Sequence, residues 1–296
     1  MDEIDRLIAQ LKSPDKKERE RAANRLKELA QESSQDPGLI KAVTPLADAL
    51  KEEGSTGHYA AHALGYIGAE SIPQLTRTLN EDNLTGRNNA ALAVETMAHR
   101  YGDLGKLEEV PGGDRALLMI TPLVRDLRYK HLRFNASSAL HYIAEANPGN
   151  PELEKIIPEL ISMMKIDTDA YPIIKALGVI GSPKAILSLV GMLANKENAV
   201  RVDSHEALVR IIDKCESAKK LKVVEKRLVR GFASLLEKHT KANETQFFHM
   251  KFAQLMNAIA KQRDMLAVDK GILLDDKPKP PKRKQGMYRV LARSCY

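Results

Sequence analysis

The sequence predicts an all-α protein, a right-handed α-solenoid of about six helix pairs with a C-terminal helical cap and a disordered basic tail. Its 296 residues are 43% hydrophobic, with eight tyrosines, five phenylalanines and no tryptophan. The core must therefore be aliphatic, which favours helices over sheets. One pattern recurs along the chain: a helix, a short turn, and a second helix with small residues ahead of a leucine. No window alternates apolar and polar residues at period two, so no strand is predicted.

The second helix of each predicted pair is the better defined of the two. Apolar anchor residues recur at intervals of roughly 30 to 46 residues, which is typical of two-helix repeats. The predicted second helices are 18–30, 58–69, 87–98, 133–144, 171–182 and 201–212. Their anchors are Leu26, Leu64, Val94, Leu140, Leu177 and Leu208. Gly68 and Gly181 follow two of these helices and predict C-terminal stops.

The first helices of the pairs carry several prolines in or near their first turns. Proline costs little there, because the N–H groups of a first turn have no partner within the helix. The predicted first helices are 2–12, 37–53, 71–80, 115–127, 151–165 and 183–194. Residues 101–114 contain glycines and a proline, and they predict an exposed insert loop within a repeat domain that covers 1–213.

Charged residues at the start of the second helices repeat as well. An arginine stands seven residues before four of the anchors: Arg19, Arg87, Arg133 and Arg201. An acidic or amide residue precedes each: Asp15, Asp82, Asp126 and Asn198. With this recurring arginine, the chain resembles the HEAT-repeat family. In that family such Asp–Arg pairs link neighbouring repeats in a ladder. The resemblance implies a HEAT-like solenoid, with the ladder interrupted where Gly57 and Ala170 replace the arginine.

Beyond residue 213 the chain becomes strongly basic. Two longer helices, about 216–239 and 243–267, are expected to form a capping region over 214–268, because a solenoid needs a polar terminal cover. The run KPKPPKRK then predicts a flexible tail over 269–296. The net charge of +7 is concentrated in this part of the chain, which indicates an acidic partner.

The basic side chains form a candidate binding patch. On a helix, Leu221, Val224 and Leu228 make an apolar seam with cations around it. The patch comprises Lys219, Lys220, Lys222, Lys226, Arg227, Arg230, Lys279, Lys282, Arg283 and Lys284. It fits an acidic protein surface, or the phosphates of RNA or of a ribonucleoprotein. The alternative is an ordinary solvated helix face.

The free side of the second helices is the candidate partner site, since these helices line the concave surface of such a solenoid. Residues six before, two before and two after each anchor lie opposite it on the helical wheel. This row includes Thr96, Ser138 and Val179. The predicted contact residues are His58, His62, Tyr66, Asn88, Phe134, Tyr142, Tyr171, Lys175 and Arg210. Exposed aromatics are typical of a recognition groove; the alternative is that they pack against neighbouring helices or the insert loop.

Two histidines on one helix raise the question of a metal enzyme. His58 and His62 have the spacing of the zinc-binding HExxH motif, but Tyr59 replaces its glutamate. The segment HYAAHALG is also similar to repeats of deoxyhypusine hydroxylase, a HEAT-repeat di-iron enzyme. That resemblance implies a set of His–Glu ligands, whereas the single His–Glu pair, His205–Glu206, lies out of register with His58. No catalytic residue, cofactor or metal is therefore predicted.

The hypothesis that follows is a non-catalytic scaffold or adaptor that holds a peptide or helix of a partner protein. A nucleic-acid or ribosome-associated factor and a metal-dependent or lyase-type repeat enzyme are the alternatives. No stretch is long and apolar enough to span a membrane, and the N-terminus has no signal-peptide pattern. Two cysteines give no disulfide framework, so a cytoplasmic protein without membrane insertion is expected.

Overall fold

A computed structural model describes residues 2–33, 36–101, 117–165, 170–239 and 241–268. These residues form α-helices joined by turns and short 3-10 segments, and no strand occurs among them, as the sequence predicts. The helices fall into two compact units, Met1–Ala176 and Leu177–Tyr296. None of the described helices combines the length and the apolarity needed to cross a membrane.

The first unit consists of paired helices in two layers. The first helices are α1 (Glu3–Gln10), α3 (Pro37–Ala49), α5 (Ile72–Asn80), α7 (Ile120–Asp126), and α9 (Pro151–Lys155) with α10 (Ile157–Met164). The second helices are α2 (Lys16–Glu32), α4 (Ser55–Ile67), α6 (Leu84–Tyr101), α8 (Lys130–Ala146) and the start of α11 (Tyr171–Ile180). Helices α2, α4, α6 and α8 pack in that order, and so do α1, α3, α5 and α7. This is the arrangement of a solenoid built from helix pairs.

Small residues set how closely neighbouring second helices approach. The anchors Leu26 and Leu64 are fully buried, as are the alanines that precede them by three or four residues. Gly65, which follows the second anchor, lies so close to α6 that a Cβ atom there would be 2.6 Å from the Cβ of Thr96. Burial of each leucine contributes about 1.5–3 kcal/mol. The Ala-Leu-Gly step thus fixes the spacing between the second and third repeats.

Two of the four predicted arginines form ion pairs with the next repeat. Arg19 in the first repeat pairs with Glu52 in the second, with 2.9 Å between Nε and Oε1. Arg87 in the third repeat pairs with Asp126 in the fourth, with 3.4 Å between Nε and Oδ1. Of the Asp–Arg ladder implied by the resemblance, the Arg87–Asp126 pair is therefore present, whereas the partner of Arg19 is Glu52, which was not among the predicted acidic residues. Asp15 has another role, because its side chain caps the N-terminus of α2.

The second repeat lacks the arginine, and the packing gives a physical reason. Gly57 takes its position, and a Cβ atom there would lie 2.3 Å from the backbone oxygen of Glu52 and 2.5 Å from Nδ2 of Asn89. Asn89 is buried, and its Nδ2 donates a hydrogen bond to the carbonyl of Leu50 at 2.9 Å. A bond from a side-chain amide to the backbone thus stands where the arginine would be, and Lys51 and Glu81 form a separate ion pair between the same two repeats, with 2.7 Å between Nζ and Oε2.

The second unit contains the end of α11 followed by α12 (Ile186–Met192), α13 (Asn198–Asp213), α14 (Ala218–Lys238) and α15 (Ala242–Val268). Helix α12 packs against α13 and α14, and α15 packs against the same two helices. The predicted seam of Leu221, Val224 and Leu228 is buried in this unit. The two long helices expected from the sequence therefore form, with their ends within a few residues of the predicted ones.

Two details of the helix boundaries follow from proline and glycine. The single helix predicted over 151–165 is wrong: α9 and α10 are separate, with Ile156 between them. Pro158 has no N–H to donate to the carbonyl four residues earlier, so a continuous helix would lack one hydrogen bond at this break. Gly68 and Gly181 have φ of 85° and 74°, which confirms the stops predicted after α4 and α11.

Two predicted segments cannot be compared with the structure. Apart from Tyr101, the last residue of α6, the insert loop 101–114 lies outside the described residues. The tail 269–296 also lies outside them.

Candidate partner-binding face

The predicted contact residues fall mostly on one surface of the first unit. We call this surface, formed by the outward sides of α4, α6, α8 and the start of α11, the second-helix face. It carries His58, His62, Tyr66, Asn88, Phe134, Tyr142, Tyr171 and Lys175. His58 and Phe134 are exposed, and the other six are partly exposed. Arg210 is also exposed, but it lies on α13 in the second unit.

Three other positions of the predicted row are buried, so the expectation that they form a free surface is wrong. They are Thr96, Ser138 and Val179. The helical wheel shows which side of a helix a residue occupies but not how deeply the next helix covers it. At Thr96 the covering residue is Gly65 of α4, whose missing side chain lets the two helices meet. The accessible surface is therefore narrower than the predicted row.

A directed chain of hydrogen bonds joins α4 to α6 at this face. The Oγ1 of Thr96 donates to the carbonyl of Leu92 at 3.0 Å, so it accepts from Nδ1–H of His62 at 2.8 Å. Nε2 of His62 then holds a lone pair and accepts from Nε2–H of His58 at 3.1 Å. Burial lowers the pKa of His62, and the charges of His58 and Lys27 act in the same direction. In its neutral form, which burial favours, His62 is thus held in a single tautomer.

Cations pack on aromatic rings at the N-terminal end of the face. The guanidinium of Arg100 lies 5.6 Å from the ring centroid of Tyr66 and donates to the carbonyl of Gln31 at 2.8 Å. The ammonium of Lys27 lies 4.8 Å from the centroid of the Tyr59 ring. Each such contact contributes roughly 0.5–1 kcal/mol at an exposed site. The rings at this end are therefore held in place by neighbouring repeats.

Tyr142 and His99 form a second contact between repeats. Their rings lie 5.0 Å apart, and the Tyr142 hydroxyl is 2.8 Å from Nε2 of His99. Burial, helped by the negative charges of Glu95 and Glu145, raises the pKa of Tyr142 to about 12. Tyr142 consequently keeps its hydroxyl proton at every physiological pH.

The C-terminal end of the face presents an apolar ring beside polar groups. Phe134 is 43% exposed, and its ring lies 5.8 Å from that of Tyr171. The ammonium of Lys175 lies 5.0 Å from the centroid of the Tyr171 ring. Next to Phe134 along α8, Asn135 donates from Nδ2 to Oδ1 of Asn88 at 3.1 Å. A partner segment would meet an aromatic edge, a cation and two amides within one small area.

The histidines of the described residues do not form a metal-binding cluster. No group of three or more histidine, cysteine, aspartate or glutamate side chains within the described ranges is arranged to hold a metal ion. His58 and His62 contact each other, while His99 contacts Tyr142. Cys215 is buried in the second unit, and its thiol donates to a backbone carbonyl. Burial raises the pKa of this thiol.

The predicted basic patch lies along α14 as far as the structure describes it. Its exposed members are Lys219, Lys220, Lys222, Lys226 and Arg230. Arg227 is partly buried and donates to the carbonyl of Pro183 at 2.9 Å. The patch residues of the tail, Lys279, Lys282, Arg283 and Lys284, lie outside the described residues.

Sequence reasoning missed some contributors to the second-helix face. Lys27, His99 and Arg100 were not among the predicted contact residues, yet each contacts an aromatic ring of this region. Arg100 stands four residues after Thr96, so extending the predicted row by one more helical step would have included it. Lys27 and His99 give no such signal, because their contacts depend on how neighbouring repeats align.

Comparison with known proteins identifies the fold. No protein-family model matches the chain, and no curated protein matches it in sequence. An engineered protein of known structure is 20% identical, with 99% of this chain and 78% of that chain covered and a TM-score of 0.51. Importin beta is 14% identical, with coverages of 98% and 42% and a TM-score of 0.56. A designed armadillo repeat protein is 19% identical, with coverages of 86% and 100% and a TM-score of 0.41.

The first two likenesses extend over almost the whole chain. In the first unit, successive helices of each layer pack in chain order. The protein therefore has an all-α solenoid fold built from helix pairs.

Proposed function

We propose that the protein is a non-catalytic scaffold or adaptor that binds a peptide or helix of a partner protein on its second-helix face. The observation that carries the proposal is the exposure of Phe134, a large apolar ring that rests against Tyr171 at the surface. Covering apolar surface stabilises a complex by about 25 cal/mol for each Å² removed from water. Aromatic anchors of this kind are enriched at the centres of protein interfaces.

The polar groups around the Phe134 ring support the binding of a polypeptide rather than catalysis of a reaction. Asn88 and Asn135 offer amide donors and acceptors that suit a polypeptide backbone. Lys175 adds a positive charge over Tyr171. Titratable side chains nearby hydrogen-bond to neighbouring side chains, as His62 does to Thr96 and to His58. Their roles are thus accounted for by holding the repeats together and shaping the face.

The test removes the aromatic pair and leaves the fold intact. Phe134→Ala combined with Tyr171→Ala deletes both rings, while Ile40→Ala removes an apolar side chain that is 52% exposed on a first helix. Tagged full-length forms are used for affinity capture with quantitative mass spectrometry. We expect one or more proteins to be recovered equally by the wild type and the Ile40 variant, and at least tenfold less by the double variant.

The outcome must then be repeated with the recovered protein in purified form. Equal binding of the wild type and the double variant, with helical content unchanged by circular dichroism, would contradict the proposal. A loss caused by both the double variant and the Ile40 variant would also contradict it, because the effect would then not be specific to the second-helix face.

Contact between the basic C-terminal region and an acidic partner is the second part of the proposal. Lys219, Lys222 and Lys226 are exposed on α14, spaced three and four residues apart, and so share one side of the helix. RNA or a ribonucleoprotein is one partner that fits this charge. Binding of a labelled RNA oligonucleotide should then fall steeply as salt rises, and Lys222→Glu with Lys226→Glu should weaken it. Salt-insensitive binding would remove this candidate.

A further inference from the structure

Two glycines shape a groove in the second unit. Gly231 of α14 lets that helix approach α12 closely, since a Cβ atom there would lie 3.2 Å from the side chain of Val190. Gly191 of α12 is exposed, and a Cβ atom there would meet nothing within 4 Å. The groove between the two helices has a volume of about 340 Å³.

The groove combines an apolar wall with a basic rim. Leu187 of α12 is 39% exposed along it, and Leu235 of α14 also lines it. Arg230 and Lys238 are exposed on its α14 side, and neither pairs with a carboxylate of the described residues. The third basic side chain of the rim, His239, is engaged by Glu244, with 3.2 Å between Nδ1 and Oε2. Arg230 and Lys238 are therefore the charges offered to a ligand.

The spacing of these two charges limits what can bind. Eight residues of α-helix separate Arg230 from Lys238, which is about 12 Å at a rise of about 1.5 Å per residue. Alternate side chains of an extended chain point to one side, and four residues of such a chain span about 13 Å. Two carboxylates four residues apart in an extended segment thus match the two cations, and the residue midway between them faces the same way.

We propose that this groove binds an extended acidic segment of a partner protein that follows the pattern Glu-x-Leu-x-Glu. The two carboxylates pair with Arg230 and Lys238, and the central leucine occupies the space over Gly191, against Leu187. Because it names the chemistry of an acidic partner for α14, the inference rests on the second part of the proposed function. It goes further in requiring a leucine-sized apolar group, which binding by charge alone does not need.

The first test varies the ligand. Three short fluorescein-labelled peptides are compared by fluorescence anisotropy with the full-length protein: Glu-Ser-Leu-Ser-Glu, the same peptide with serine in place of leucine, and the same peptide with lysine in place of both glutamates. Burial of a leucine side chain corresponds to roughly a tenfold to hundredfold gain in affinity. We expect the first peptide to bind at least tenfold more tightly than either of the others.

The second test varies the protein. Gly191→Leu fills the groove and should abolish binding of the first peptide, with unfolding by urea showing that the variant stays folded. Arg230→Glu should weaken binding about tenfold or more, since it replaces an attraction by a repulsion. Lys222→Glu changes the charge of α14 equally, at a residue that does not line the groove, and should have a much smaller effect.

The outcomes separate this inference from the broader proposal. Equal binding of the leucine and serine peptides, or an equal effect of Lys222→Glu and Arg230→Glu, would overturn the groove and leave charge-driven binding by α14 standing. Unchanged binding by the Gly191→Leu variant would likewise overturn it. Failure of all three peptides to bind, combined with salt-dependent RNA binding, would also overturn the groove and support the RNA candidate.

Discussion

Arg87 and Asp126 form an ion pair that lies almost wholly out of water and joins the third repeat to the fourth. Their side chains are 4% and 1% exposed, with 3.4 Å between Nε and Oδ1. Arg125 donates from Nε to the same oxygen at 3.1 Å, and the Arg87 guanidinium lies 5.0 Å from the centroid of the Tyr129 ring. Burial raises the pKa of Asp126, whereas Arg125 and Arg87 act to lower it. The carboxylate depends on these two cations.

Loss of the buried arginine is expected to be costly. Arg87→Ala leaves the carboxylate of Asp126 buried with Arg125 alone, and removal of one partner of a buried pair costs about 3–5 kcal/mol of unfolding free energy. Arg19→Ala is the matched control, because Arg19 and Glu52 are both partly exposed and water screens such a pair, so its loss should cost much less. Unfolding by urea, followed by circular dichroism, measures both. Equal losses would show that burial of the Arg87–Asp126 pair has no energetic consequence.

Two glycine-to-alanine changes should have opposite signs. At Gly65 the new Cβ atom would lie 2.6 Å from Thr96 and 2.8 Å from the backbone oxygen of Ala93. Overpacking of this kind costs about 1–3 kcal/mol, which exceeds the gain of up to about 1 kcal/mol from the better helix propensity of alanine. At Gly191 the Cβ atom meets nothing, so the same change should stabilise the protein by about 0.5 kcal/mol. Urea midpoints that move in the same direction for both variants would contradict this.

The stability of the protein should depend on the protonation of His62. Because the folded protein holds the pKa of His62 below its ordinary value of 6.5, the unfolded chain takes up this proton first as the pH falls. The stability that neutral His62 contributes is thus fully present above pH 6.5 and is lost as the pH falls through the folded-state pKa. Thermal unfolding measured between about pH 7.5 and pH 5 should show a falling midpoint.

Two substitutions test whether this pH dependence comes from His62. His62→Gln removes the titrating ring and keeps an amide that can donate to Thr96, so the midpoint should fall less steeply with pH. His131→Gln is the control, because His131 is exposed at the start of α8. An unaltered slope in the His62 variant would mean that other groups produce the pH dependence.

Tyr142 should titrate later than an ordinary tyrosine. Its pKa of about 12, against an ordinary value of 10.0, predicts that the ultraviolet absorbance of tyrosinate contains a late component in the native protein. Tyr142→Phe should remove that component. The sign for stability follows: the contribution of neutral Tyr142 is complete below pH 10 and is lost as the pH rises toward about 12. A native titration identical in the wild type and the variant would contradict the assignment.

The helices were predictable because their signals are local. Alanines and leucines at helical spacing marked α4 and α8, and Gly68 marked the end of α4. The contacts between repeats were not predictable in the same way. Arg19 reaches Glu52, 33 residues away, and the position of that carboxylate depends on the turn between α3 and α4. A periodic pattern carries no information about such a distance.

In the candidate site, too, local features were predictable from the sequence and contacts between helices were not. The wheel correctly placed Phe134 on the outer side of α8, because the side of a helix follows from residue spacing alone. It failed for Thr96, which is covered because α4 has a glycine opposite. How deeply a side chain is buried depends on the neighbouring helix as well as its own, so it cannot be deduced from the sequence of one helix. The groove beside Gly191 was missed for that reason.

The junctions between repeats differ in what they demand of the residues that form them. Where Arg87 meets Asp126, charge is essential, and a neutral residue of the same volume would not serve. Where Gly65 meets Thr96 of α6, the contact is purely steric, and one additional methyl group is already too large. Sequences that keep this fold should therefore conserve charge at the first kind of junction and smallness at the second. A charged side chain in place of Gly65, or a small residue in place of Arg87, should therefore separate the repeats at that junction.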